Sequence, residues 1–140
     1  MKLRDRPEVD EGTPWVERET MVEASPEEVW EALTDEDRLE EWLAPDVELD
    51  PVEGGEIAVR DGDEERAGTV ETVEEGERFA FTWSRPGEGE SFVEFTIEAL
   101  PGGSRVTVVE TPIGPTAIAA GGWSSRLARL GRAMRFTLVA

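Results

Sequence analysis

Carboxylates are the side chains of this sequence that could carry acid–base chemistry. The chain has no His and no Cys, which removes the commonest general base, most zinc chemistry and the thiolate nucleophile. Glu110 stands out because it continues an otherwise apolar strand face, where a carboxylate is costly to bury without a partner. Glu71 is a weaker candidate of the same kind, and Arg60 and Arg126 are candidate partners. An enzyme would need Glu110 or Glu71 as its general acid or base, and their spacing gives no positive support for that role.

The other candidates are large apolar side chains that could line a binding pocket. Spacing by two residues places Phe81 with Trp83 on one face of a strand. The same spacing places Phe95 on a face of the next strand, and Val108 with Glu110 on a face of the last. Each of these residues alone is more typical of a packed core than of a ligand site. Together they predict a cavity between sheet and helix. Glu110 is then either a polar anchor at the wall or mouth of this cavity or a residue at the open end of its strand.

A long amphipathic segment near the end of the chain predicts the helix that covers this face. Leu127, Leu130 and Met134 in the run 117–136 follow one another at helical spacing, so they share one side of a helix. Such a helix buries its apolar side by lying across a sheet. Gly131 falls in the middle of the helix, which predicts either a close approach of its backbone to a strand or the end of the helix there.

The rest of the chain predicts a sheet with two short helices. Alternation indicates a first strand at Trp15–Ala24. Ser25 and Glu28 then form a capping box at a helix start, and a second short helix follows at Glu36–Leu43. The remaining alternating runs are separated by glycine-bearing turns, the pattern of antiparallel hairpins. This order predicts an α+β fold with about seven mostly antiparallel strands rather than alternating βαβ units.

Composition limits the partners. The 33 acidic and 14 basic residues give a net charge of −19, which disfavours nucleic acids and anionic membranes as partners. No signal peptide and no apolar run of the roughly 20 residues needed to span a bilayer are evident, so a cytoplasmic location is expected. Residues 1–13 are charged and aperiodic and are expected to be a flexible leader, followed by a single domain at 14–140.

Four motifs in order resemble one known superfamily. The run ASPEEVWEALTDEDRLEEWLAP (Ala24–Pro45) resembles the opening of SRPBCC, or START-like, proteins, especially the family named for the activator of the heat-shock protein 90 ATPase. Glu53-Gly54-Gly55, the segment 68–83 ending in Phe-Thr-Trp, and Gly122-Trp123 are similar to later features of that family. The resemblance covers roughly residues 15–136. It implies a helix-grip fold, in which a curved antiparallel sheet wraps around a long C-terminal helix and two small helices close one end.

The resemblance also implies a function, and three alternatives remain open. The first is a binding module for a small apolar or amphipathic molecule held between sheet and helix, with Trp42 and Trp123 near the mouth of its tunnel. The second is an enzyme of the polyketide cyclase, aromatase or hydrolase type, and the third is a chaperone-associated interaction domain. The binding module is favoured because no nucleophile motif is present. No catalytic residue, metal site or cofactor is predicted, and the expected partners are a small apolar ligand and, as an alternative, a second copy in a homodimer. The predicted ligand-binding residues are Trp42, Phe81, Trp83, Phe95, Val108, Glu110, Trp123 and Leu127.

Overall fold

The computed structural model describes residues 15–113 and 122–139, with side chains described as far as Met134. The predicted leader at 1–13 lies outside these residues. The elements are, in order, β1 Val16–Val22, α1 Pro26–Thr34, α2 Glu36–Trp42, β2 Asp46–Leu49, β3 Glu56–Asp61, β4 Glu64–Glu74, β5 Arg78–Ser84, β6 Ser91–Leu100, β7 Gly103–Pro112 and α3 Trp123–Val139. The predicted α+β order is confirmed.

The seven strands form one antiparallel sheet in the order β1-β7-β6-β5-β4-β3-β2. From β2 to β7, each strand pairs with the next in the chain, as the glycine turns predict. The first strand closes the other side by pairing with β7, where Val16 lies opposite Glu110. A bulge between Val70 and Thr72 interrupts the pairing of β4 with β5 and leaves Glu71 exposed.

The two short helices follow each other because their caps adjoin. Ser25 accepts a hydrogen bond from the backbone of Glu28 at 3.2 Å, and the Glu28 side chain accepts one from the Ser25 backbone at 3.0 Å. This is the predicted capping box. Asp35 then ends α1 and caps α2, accepting from the Arg38 backbone at 3.1 Å. These two helices position Trp42, at the end of α2, in the core, where it is 1% exposed.

The C-terminal helix packs against β1 and α2. Its predicted apolar side is confirmed, since Leu127, Leu130 and Met134 are all buried. The prediction for Gly131 is wrong on both counts. The helix continues past this residue to Val139, and a Cβ atom at Gly131 would meet no neighbouring atom within 4 Å. Among the described residues, no helix has the length and apolar character needed to cross a membrane.

Candidate ligand site around Glu110

Five of the predicted side chains form one connected group of rings, called here the aromatic cluster: Trp42, Phe81, Trp83, Phe95 and Trp123. Phe95 occupies its middle, with ring centroids 5.9 Å from Trp42, 6.3 Å from Phe81 and 5.6 Å from Trp123. Trp83 lies 5.2 Å from Phe81 and stacks on Trp123 at 5.9 Å. Residues far apart in the chain, on α2, β5, β6 and α3, therefore meet at one point.

Sheet register places these rings side by side, and one glycine allows β4 and β5 to pair closely. Phe81 lies opposite Val93, and Phe95 lies opposite Val108 in the next pairing. Gly68 on β4 lies opposite Trp83. A Cβ atom at Gly68 would come within 1.7 Å of the Thr82 carbonyl oxygen, so only glycine permits this close pairing.

Glu110 is fully buried against the aromatic cluster, with 0% of its surface exposed. The indole N–H of Trp83 donates to its Oε2 at 2.9 Å, and the Ser91 hydroxyl donates to the same oxygen. The indole N–H of Trp123 donates to Oε1 at 2.8 Å. Donors from β5, β6 and α3 thus converge on one carboxylate from β7, which compensates for its burial by charge-assisted hydrogen bonds. We call Glu110 and these three donors the Glu110 network.

Two arginines lie over the tryptophan rings of this network. The Arg126 guanidinium carbon is 5.0 Å from the Trp123 ring centre and 6.0 Å from that of Trp83, within cation–π range. Burial lowers the pKa of Arg126, an effect that the nearby Glu110 carboxylate opposes. Arg126 was predicted as a partner of Glu110, and the two interact electrostatically. Arg66, on β4, lies 5.3 Å from the Trp83 ring centre.

Sequence reasoning missed Arg66, although a signal was present. Counting in twos from the buried Val70 places Gly68 and Arg66 on the inward face of β4, and the structure buries Arg66 to 7% exposure. A charged residue on an apolar face is the same signal that singled out Glu110.

Of the remaining candidates, two belong to the buried core and two lie outside the site. Val108 and Leu127 are buried in the same hydrophobic core. Glu71 is exposed on β4, so its candidacy as a pocket residue is wrong. Arg60 pairs with Asp46 at 3.1 Å and with Glu65 at 3.5 Å, so its predicted pairing with Glu110 or Glu71 is wrong too.

Side chains fill the space at the centre of the site. The five rings of the aromatic cluster are at most 1% exposed, and Glu110 is not exposed at all. Two surface hollows of about 380 and 600 Å³ lie elsewhere, one beside Trp30 and Glu31 and the other beside Leu49 and Ile57. None of the eight predicted residues lines either hollow. A ligand at the predicted site would therefore have to displace a side chain.

Comparisons with known proteins agree with this architecture. The family described as Activator of Hsp90 ATPase homolog 1-like protein matches residues 23–135.

Solved structures share the fold. DynU16, a protein of the dynemicin biosynthetic locus, is 28% identical to this chain, with a TM-score of 0.75. The match covers 86% of this chain and 47% of DynU16, so this chain spans about half the length of DynU16. Protein MLL2253 of Mesorhizobium loti is 24% identical over 89% of this chain and 98% of its own, with a TM-score of 0.79. The Aha1 dimer of Colwellia psychrerythraea is 20% identical over 86% of this chain and 96% of its own, with a TM-score of 0.72. At these identities the last two show the shared fold. No curated protein matches the chain.

Proposed function

The chain belongs to the family of Activator of Hsp90 ATPase homolog 1-like proteins, within the SRPBCC superfamily, and we propose that it is a binding module for a small apolar or amphipathic ligand. The ligand would lie between the sheet and α3, against the aromatic cluster. One observation carries the proposal: a buried carboxylate is enclosed by aromatic rings where the sheet meets the helix. Apolar walls with a few fixed polar groups are the usual composition of a small-molecule site.

The proposed route of entry passes through Trp123. This residue is the first of α3, and Gly122 before it has a φ of +86°, a conformation that favours glycine. Rotation of the Trp123 side chain would vacate the volume of one indole beside Phe95 and would remove the Trp123 donor from Glu110 Oε1. The Trp83 and Ser91 donors would still hold Oε2, so Glu110 would keep its position as the ligand arrives.

Indole N–H signals in a ¹H–¹⁵N NMR spectrum test the proposal directly. The chain has five tryptophans, whose signals can be assigned from single Trp→Phe variants. A neutral apolar probe, N-phenyl-1-naphthylamine, is expected to shift the signals of Trp83 and Trp123, because both indoles border the proposed site. The signal of Trp15, which is 52% exposed, serves as an internal control, and a shift of the Trp30 signal alone would indicate binding at the surface hollow beside Trp30. If a panel of this probe, a long-chain alcohol, a sterol and a flavonoid leaves the Trp83 and Trp123 signals in place, the proposal is wrong.

We also propose that a second copy of the chain is a partner. Strand β1 is an edge of the sheet, and its Met21 is 61% exposed, close in sequence to Trp15. Exposed apolar side chains on an unpaired edge favour association. The structure from Colwellia psychrerythraea is described as a dimer. Sedimentation equilibrium is expected to give twice the mass of 15.5 kDa, and Met21→Glu is expected to weaken the dimer. A monomer at all concentrations up to 1 mM would refute this partner.

A further inference from the structure

Arg66 is a buried cation with an unused hydrogen-bond donor. It is 7% exposed, and its Nε has no hydrogen-bond partner. Arg78 and Arg105 also have an Nε without a hydrogen bond, but each faces a carboxylate, at 3.5 and 3.9 Å respectively. Among the described residues Arg66 has no such ion pair, and its contact is with the face of Trp83 at 5.3 Å. A buried guanidinium without a counter-ion destabilises a folded protein.

A second guanidinium lies over the same ring. Arg126 contacts the face of Trp83 as well as that of Trp123. The positive charges of Arg129 and Arg66 act with burial to lower the pKa of Arg126, while Glu110 and Asp61 oppose them. The oxygens of Glu110 already accept hydrogen bonds from Trp83, Ser91 and Trp123. Glu110 is therefore already engaged by hydrogen-bond donors, and no described residue forms an ion pair with Arg66.

We propose that the ligand is an amphipathic anion, whose carboxylate, sulfonate or phosphate group binds Arg66 while its apolar body lies against the aromatic cluster. This inference rests on the proposed function and names the ligand class. The Nε–H of a guanidinium and one of its terminal N–H groups form a fork that matches two oxygens of such an anion. The anion would supply the partner that Arg66 Nε lacks, and Arg126, which also lies over the Trp83 ring, would add electrostatic attraction.

Two probes with the same apolar body test the charge of the ligand. 8-Anilinonaphthalene-1-sulfonate carries a sulfonate, and N-phenyl-1-naphthylamine is the same skeleton without it. The wild-type protein is expected to bind the sulfonate at least about tenfold more tightly, despite its overall negative charge, because a charge-assisted pair is formed inside the site. In Arg66→Met the ratio of the two Kd values is expected to fall towards one. The variant is expected to melt at the same temperature or higher, because a buried charge without an ion pair has been removed.

A matched control separates contact from net charge. Arg85→Met changes the net charge by the same amount outside the hollow that Arg66 lines, at a side chain that is 44% exposed. This control is expected to keep the wild-type ratio of Kd values. Arg66→Lys restores the charge without the Nε fork and is expected to recover part of the preference for the sulfonate.

The outcomes distinguish this inference from the proposed function. If the neutral probe binds and shifts the indole signals but the sulfonate binds no more tightly, the anion assignment is wrong and the binding module stands. If Arg66→Met lowers the melting temperature and weakens both probes in parallel, Arg66 is structural and the assignment is also wrong. If neither probe binds, the proposed function fails, and this inference fails with it.

Discussion

Replacing Glu110 by glutamine changes the charge and one acceptor of the Glu110 network while keeping its shape. Glu110→Gln replaces one of the two carboxylate oxygens by an NH₂ group, which donates and does not accept. In the better orientation, the amide oxygen takes the place of Oε2 and keeps the donors of Trp83 and Ser91. The NH₂ group then faces the indole N–H of Trp123, which donates at 2.8 Å to Oε1 in the wild type. Two donors face each other without an acceptor.

The expected loss follows from this geometry. A hydrogen bond to a charged group contributes roughly 1.5–3 kcal/mol, and a buried donor left without a partner costs roughly 1–3 kcal/mol. Removing a buried charge offsets part of this loss, although Arg126 also loses the carboxylate that favours its charged form. We expect the free energy of unfolding to fall by about 2–4 kcal/mol, which lowers Tm by roughly 10 °C for a domain of this size.

Chemical denaturation followed by circular dichroism measures this change. Glu48→Gln is the matched control, because Glu48 is exposed on β2 and its replacement should change stability by less than about 0.5 kcal/mol. Adding Trp123→Phe to Glu110→Gln removes the opposing donor, so the two substitutions together should cost less than the sum of their separate effects. If Glu110→Gln is as stable as the wild type and shows no such coupling, the hydrogen bonds of the network do not stabilise the fold.

Three further predictions concern the scaffold. Gly131→Ala should raise stability by about 0.5–1 kcal/mol, because alanine favours a helix interior and its Cβ meets open space here; a loss on urea denaturation would contradict this. Gly68→Ala should lower stability by about 1–3 kcal/mol, because its Cβ would overlap the Thr82 carbonyl oxygen. A variant with wild-type Tm would show that the sheet moves to accommodate the Cβ. Tm should rise as salt shortens the Debye length from about 30 to about 8 Å, because the charge of −19 is self-repulsive; a Tm independent of salt would mean that local pairing already neutralises the repulsion.

Local patterns account for how well the fold could be predicted. Strand β6, Ser91–Leu100, is one of the alternating runs that predict strands, and glycine-bearing turns mark both of its ends. The capping box at Ser25 fixes the start of α1 for the same reason, since every group involved lies within three residues. The prediction for Gly131 was wrong because it considered only the low helix propensity of glycine, which is a local property of the chain. The buried stripe on either side of it, including Leu130, holds the helix together across that position.

The candidate site was predicted as a set of residues and not as a geometry. The alternation of side chains along a strand correctly places Phe81, Trp83 and Phe95 on the inward face of the sheet. It does not predict how closely the helix approaches the sheet. Whether the rings line a cavity or fill it depends on that distance, which pairs residues across the whole chain. The sequence could not predict whether Glu110 is buried either. Its donors Trp83 and Trp123 lie 27 and 13 residues away along the chain, and only the folded structure brings them together.

The Glu110 network makes physical sense if this centre opens. A core that only had to be stable would gain from apolar side chains in place of a buried charge, and a half-satisfied polar group is costly in a low-dielectric interior. Glu110 instead receives donors from both sides of one interface: Trp83 and Ser91 from the sheet, and Trp123 from the helix. Withdrawing the helix donor leaves the two sheet donors in place, so the carboxylate stays oriented while the Trp123 indole no longer covers it. In the proposed function the protein is therefore closed without ligand, and a ligand that replaces Trp123 meets a polar anchor already held in position.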